Sequence, residues 1–165
     1  LFTLPEFVTA FDTKGFQKSN PLFNQKKLDW FNGHYIRQKS DSQLQTLIKP
    51  YLPPITPQII PLIKDRLVTL SQSQDLAGFF FTRPQPQSVD HNHIQSAIQA
   101  LQSADWSKSA IDESLLAMCD KHNFPHGDFF MGLRLAVCGQ KITPPLTESM
   151  LILGKQEVLL RLNQN

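Results

Sequence analysis

Three kinds of side chain in this sequence could do chemistry. The soft ligands come first. Cys119, His122 and His126 fall within one eight-residue stretch, and His91 and His93 add two imidazoles upstream. Structural zinc sites use four tightly spaced ligands, with Cys dominant. Cys119 and His122 could share a helix face, but Pro125 places His126 past that helix. His122 then reads as a residue at the helix's negative C-terminal end. The carboxylates are the second kind, and they are scattered: Asp41, Asp90, Asp112 and Glu148 stand mostly at expected helix starts. No G-x-S-x-G, Walker-type glycine loop or H-E-x-x-H occurs. The expectation is a binding protein with no catalytic residue, metal or cofactor of its own.

The third kind is the arginine or lysine set beside rigid or aromatic neighbours. Arg134 sits near a helix end, and Gly139 follows as its cap. Thr143-Pro144-Pro145-Leu146 then leads into the next helix. Consecutive prolines hold such a loop extended at low entropic cost, so its neighbours are preorganised. Unpaired RNA bases are read through hydrogen bonds to their edges and through apolar or guanidinium stacking. One Arg, one hydroxyl, free carbonyls and a Leu supply those parts. A second basic stretch, residues 26–37, is an amphipathic helix carrying Trp30 and Tyr35, which the pattern assigns to packing.

Helices are expected to position these groups, because no stretch sustains a period-two alternation. Thr3 and Glu6 form a capping box for a short helix ending near Phe11. Residues 15–21 read as a loop. Asn24 caps a helix to about Gln38, with Leu28, Phe31 and Tyr35 on one face. Ser40 and Gln43 form a second box, followed by Leu44, Leu47, Ile48 and Tyr51. Thr56-Pro57 starts a helix in which Ile59, Ile60, Ile63, Leu67 and Leu70 form the stripe. Pro61 fits only its first turn. Residues 81–88, with two prolines, are the linker candidate. Beyond it come helices over about 88–102, 109–122 and 127–138, then a short helix opened by Thr143-Pro144-Pro145-Leu146 that Gly154 interrupts before a last one through Leu162. The fold class is all-α, with two lobes over residues 1–82 and 83–165.

Composition suits this. The chain has 165 residues, 41% of them hydrophobic and 18% charged, with twelve Phe to fill a core. The net charge of +2 excludes a global field for polyanions, so any nucleic-acid footprint would be local. Residues 1–80 hold nine Lys/Arg against six Asp/Glu (+3), and residues 81–165 hold seven against eight (−1). No apolar run approaches the ~20 residues of a membrane helix. The N-terminus has neither Met nor a signal pattern, so an excised fragment is expected. Cys119 and Cys138 make no spaced pair, and two reduced, packed thiols in a cytoplasmic monomer are expected.

Two segments carry a family resemblance. K-L-D-W-F-N-G-H-Y-I-R at residues 27–37 resembles a hallmark of glutamyl-tRNA synthetases through Lys27, Leu28, Trp30, Asn32, Tyr35, Ile36 and Arg37. Residues 131–146 are similar to the family's R-x-A-x-x-G and Pro-Pro-Leu signature. Residues 148–162 resemble its closing helices, although Lys141-Ile142 replaces more usual small or polar residues. The resemblance implies the C-terminal anticodon-binding region of a class I synthetase. It assigns Arg134, Thr143, Pro144 and Leu146 to the anticodon pocket, and Lys27 and Arg37 to tRNA backbone phosphates.

Lys64-Asp-Arg66-Leu-Val-Thr69-Leu70 resembles the family helix against the third anticodon base. There the Arg66 guanidinium would pair with a cytosine carbonyl, with Lys64 one turn away. The implied partner is tRNA-Glu, and acceptance of tRNA-Gln turns on the same region; no DNA and no membrane are implied. No H-I-G-H-like or K-M-S-K-S-like signature occurs, so ATP and Mg²⁺ would belong to a parent enzyme's catalytic domain outside this chain. Competing readings are a class I lysyl-tRNA synthetase, disfavoured by residues 27–37, a freestanding tRNA-binding adaptor, and a helical protein-interaction module.

Overall fold

The computed structural model describes residues 2–15 and 22–165. Among these no strand occurs, and ten α-helices carry the fold. Most of the expected loop over 15–21 lies outside the described residues; Gly15 itself closes a 3₁₀ turn begun at Thr13.

Helix α1 (Leu4–Ala10) starts at the Thr3/Glu6 capping box and buries none of its residues. Helix α2 (Gln25–Gln38) is capped by the Asn24 side chain, which accepts from the Lys27 N–H. Helix α3 (Asp41–Ile48) opens on the Ser40/Gln43 box, in which two orphan N–H groups are satisfied reciprocally. Leu44 and Ile48 of α3, Ile36 of α2 and the run from Leu52 to Leu67 close the first core with Leu76 and Ala77.

The helix expected from Thr56 to about Leu70 is much shorter. Helix α4 spans only Ile59–Lys64. Pro61 lies in its first turn, where its missing N–H costs nothing. The chain then leaves the helix because side chains outbid the backbone. Gln72 Oε1 accepts from the N–H groups of both Val68 and Thr69, and Asn32 Nδ2 donates to the Val68 carbonyl. Arg66 thus stands in a turn. The next helix, α5 (Gln72–Ala77), and the 3₁₀ turn Gly78–Phe80 have no sequence expectation behind them.

The second core is built by α6 (His91–Ser103), α7 (Lys108–Lys121), α8 (His126–Cys138), α9 (Leu146–Leu153) and α10 (Lys155–Leu162). Ile94, Ala97, Leu101, Ile111, Leu115, Leu133 and Val137 lie on the anticipated apolar faces and are fully buried. Phe129 is the largest fully buried side chain among the described residues. Phe80 packs against both cores, and Ile152 of α9 packs against the first.

The segment between the cores is fastened. Arg83 donates twice to Glu157, at 2.9 and 2.7 Å, and the Gln87 N–H donates to Asn165. Glu157 also accepts from Arg161 Nε, and Arg161 Nη1 donates to the Val137 carbonyl at the end of α8. That satisfies one of the carbonyls a helix end leaves open.

Candidate nucleic-acid interface

The corner between α8 and α9 is built from its backbone outward. Gly139 ends α8 in the left-handed region at φ 76°, its N–H donating to the Leu135 carbonyl at 2.8 Å. Glycine is needed there twice over. Other residues resist this φ, and a Cβ would lie 2.5 Å from Pro84 Cβ. Gln140 Nε2 then reaches across to the Asp75 carbonyl of α5. Arg134, half-buried on α8, donates through one Nη1 to both Thr143 Oγ1 and the Pro144 carbonyl. The Thr143 hydroxyl itself donates to the Pro144 carbonyl at 2.9 Å. The corner borders an open cleft of about 560 Å³ whose walls include Asp75, Thr82, Pro84, Gly139 and Gln140.

The structure therefore brings Arg134, Thr143 and Pro144 into direct contact. It also turns two of the expected base-facing side chains inward. Thr143 is 3% exposed and Leu146 is 7% exposed, the latter within the second core. Their geometry fixes the shape of the corner. The remaining guanidinium N–H groups of Arg134 have no hydrogen-bond partner among the described residues.

Arg66 and Lys64 lie on the first core. Lys64 Nζ is paired with Asp41 at 2.9 Å. Arg66 is exposed, and its guanidinium makes no hydrogen bond or ion pair among the described residues. Helix α2 docks directly on this turn. Asn32 bonds the Val68 carbonyl, and a Cβ on Gly33 would approach the Leu67 carbonyl to 3.3 Å. Asn32 of the 27–37 signature, with its neighbour Gly33, thus stands where the two backbones meet. Lys27 and Arg37 are exposed on α2, and Arg37 folds back over Gly33.

The packing role assigned to Trp30 and Tyr35 is corrected. Trp30 is 56% exposed and Tyr35 46%, and Leu28 on the same helix is also exposed. Only Gly33 and Ile36 of α2 are buried, because the first core meets the helix on that narrow side. Trp30 stacks on His34, and the aromatic face continues through Phe31 to the exposed Phe7 of α1.

The candidate metal ligands go separate ways. Cys119 is buried, and its thiol donates to the Phe124 carbonyl. His122 stacks on Phe124, His126 pairs with Asp120, and His93 packs between Phe124 and Phe129. Burial pushes the Cys119 thiol up. It pushes Cys138, behind the corner, up to about 11, against the opposing influence of Arg134. Sequence reasoning missed the contacts Gln140–Asp75 and Arg83–Glu157, whose partners are separated by 65 and 74 residues and leave no local signal. It also missed Glu157–Arg161, although that i,i+4 spacing was legible.

The fold is that of an anticodon-binding class of protein. The chain belongs to that family: the family model described as "Anticodon binding domain" matches residues 43–165. Its relatives are glutamate–tRNA ligases. The chain is 31% identical to that of Neisseria meningitidis serogroup C over 98% of its own length, and 30% identical to that of a Janthinobacterium species over 100%. It spans about two fifths of those relatives, 39% and 40%. A solved glutamate-tRNA synthetase from Elizabethkingia anophelis matches with a TM-score of 0.77 at 25% identity, covering 99% of this chain and 36% of that one. A glutamate tRNA ligase from Elizabethkingia meningosepticum shares the fold, with a TM-score of 0.78 at 24% identity over 99% of this chain and 36% of the other.

Proposed function

We propose that this chain is the anticodon-binding part of a glutamate–tRNA ligase, selecting and positioning tRNA-Glu for ATP-dependent glutamylation by a catalytic domain outside the chain. The observation that carries this is the corner itself. An arginine and a threonine lock a two-proline loop whose first residues, Gly139 and Gln140, wall an open cleft, in a chain belonging to the anticodon-binding family. A locked loop loses little entropy on binding, which favours discrimination between unpaired bases. Two units divide the tRNA between them. Residues 1–82 carry Lys27 and Arg37 for backbone phosphates and Arg66 with Lys64 for an anticodon base, while residues 83–165 carry the corner.

In the corner, Arg134 offers its free guanidinium N–H groups to a base edge. Thr143, Pro144 and Leu146 fix where that guanidinium lies. ATP and Mg²⁺ serve the catalytic domain. Among the described residues no three His, Cys, Asp or Glu side chains gather into a seat for an ion. No helix among them is long and apolar enough to cross a membrane, and the working form is a cytoplasmic monomer. The exposed aromatic face of α1 and α2 is the kind of surface that further chain of the longer ligase would cover.

The test is a titration of the chain with transcripts of glutamate, glutamine and lysine tRNA at two salt concentrations. Tight binding of the glutamate transcript that falls steeply with salt is expected. Arg134→Ala should weaken it by about 1–3 kcal/mol, and less for transcripts with altered anticodons. Equal loss across all anticodons would remove Arg134 from base reading. No binding of any transcript would leave a protein-interaction module.

A further inference from the structure

Between the two ends of the locked corner stand Lys141 and Ile142, and no side chain among the described residues bonds to either. On one side Gly139 abuts Pro84 and Gln140 is tied to the Asp75 carbonyl. On the other, Thr143 is buried and held by Arg134. Lys141 is exposed, with no hydrogen bond or ion pair among the described residues. Ile142 is 77% exposed.

Single exposed apolar residues are ordinary on protein surfaces. This one is distinguished by place and degree. From Asn24 onward the next most exposed large apolar side chain is Trp30 at 56%, on the aromatic face of α2. Ile142 instead stands in a loop fastened on both flanks, two residues beyond Gln140. A β-branched side chain on a fixed backbone has little rotamer freedom to lose. An apolar face and an adjacent free cation are what a nucleotide needs, the one for its base and the other for its phosphate.

We infer that Lys141 and Ile142 form a contact point for one unpaired nucleotide, Ile142 supplying the platform under the base and Lys141 the charge against its phosphate. This rests on the reading of the chain as an anticodon binder. An apolar contact with a base face makes no hydrogen bond to a base edge, so the pair adds affinity for an open loop while Arg134 discriminates.

The experiment measures binding of a fluorescent anticodon stem-loop RNA and of a fully paired hairpin of equal length, across a salt series. Ile142→Ser should weaken stem-loop binding about tenfold through the apolar contact it loses, leave the salt slope unaltered and leave hairpin binding unchanged. Lys141→Gln should weaken binding and lower the salt slope by about one. Both side chains are exposed, so the thermal midpoint should stay that of the unaltered chain. Stem-loop affinities within twofold of the unaltered chain for both variants would overturn the inference while leaving the anticodon reading intact. An Ile142→Ser loss equal on the stem-loop and the paired hairpin would overturn it too. Absence of stem-loop binding by the unaltered chain would remove the anticodon reading and this contact with it.

Discussion

Replacing Gly139 by Ala should loosen the corner by an amount that can be worked out beforehand. Its φ of 76° puts alanine in the left-handed region, at a cost of roughly 1–2 kcal/mol. The new methyl would lie 2.5 Å from Pro84 Cβ, about 1 Å inside ordinary carbon–carbon contact. Neither side yields readily. Pro84 is a ring on a segment held by the Arg83–Glu157 pair and by the Gln87–Asn165 bond. The end of α8 is held by Arg161. Overpacking against such neighbours costs about 1–3 kcal/mol, so the sum is roughly 2–5 kcal/mol. That is a large part of a domain's usual stability. Urea unfolding of Gly139→Ala, Pro84→Gly and the double variant separates the contributions. The steric part should appear as a favourable coupling of at least about 1 kcal/mol in the double variant. Additivity within about 0.5 kcal/mol would mean that Pro84 does not press on Gly139, and the fastened corner would lose its first pin.

Glu157 gives the acid limit of stability. Its two arginine partners, Arg83 foremost, hold the carboxyl at about 2, below its ordinary 4.5. Its contribution is therefore complete above about 4.5 and is lost as the pH falls toward 2. Roughly 1–3 kcal/mol should be forfeited over that range and absent in Glu157→Gln, as denaturant midpoints at pH 6, 4 and 3 would record. Cys138, with its thiol pushed up to about 11, and the buried Cys119 should react with a disulfide reagent at neutral pH no faster than the protein opens; prompt labelling would contradict their burial. Asn32→Ala should cost about 0.5–1.5 kcal/mol through the Val68 carbonyl it abandons, and should lower protection of the 66–69 turn in hydrogen exchange. Unchanged protection there would separate α2 from the Arg66 turn.

Local rules made most of the helices legible. Thr3, Asn24 and Ser40 cap the helices their neighbours begin, and Gly139 and Gly154 both take positive φ where α8 and α9 stop. What stayed hidden were contacts set by distant backbone. The stripe through Leu67 and Leu70 suggested a helix continuing to Leu70. A single Gln72 oxygen holding two N–H groups ended it instead. Periodicity also tells which side chains share a face without telling what covers that face. Leu28, Phe31 and Tyr35 do share a side of α2, yet Leu28 and Tyr35 stand in solvent because the first core takes only Gly33 and Ile36.

The site was legible in the same partial way. The residue types at the corner pointed to base recognition, but composition could not say which way each side chain turns. Thr143 and Leu146 are spent on holding the loop, and that is what leaves Lys141 and Ile142 outside it with a fixed backbone beneath them. A loop presents a few groups rigidly only by committing the residues beside them to its own structure. The buried members of the motif and its exposed members are thus two halves of one requirement.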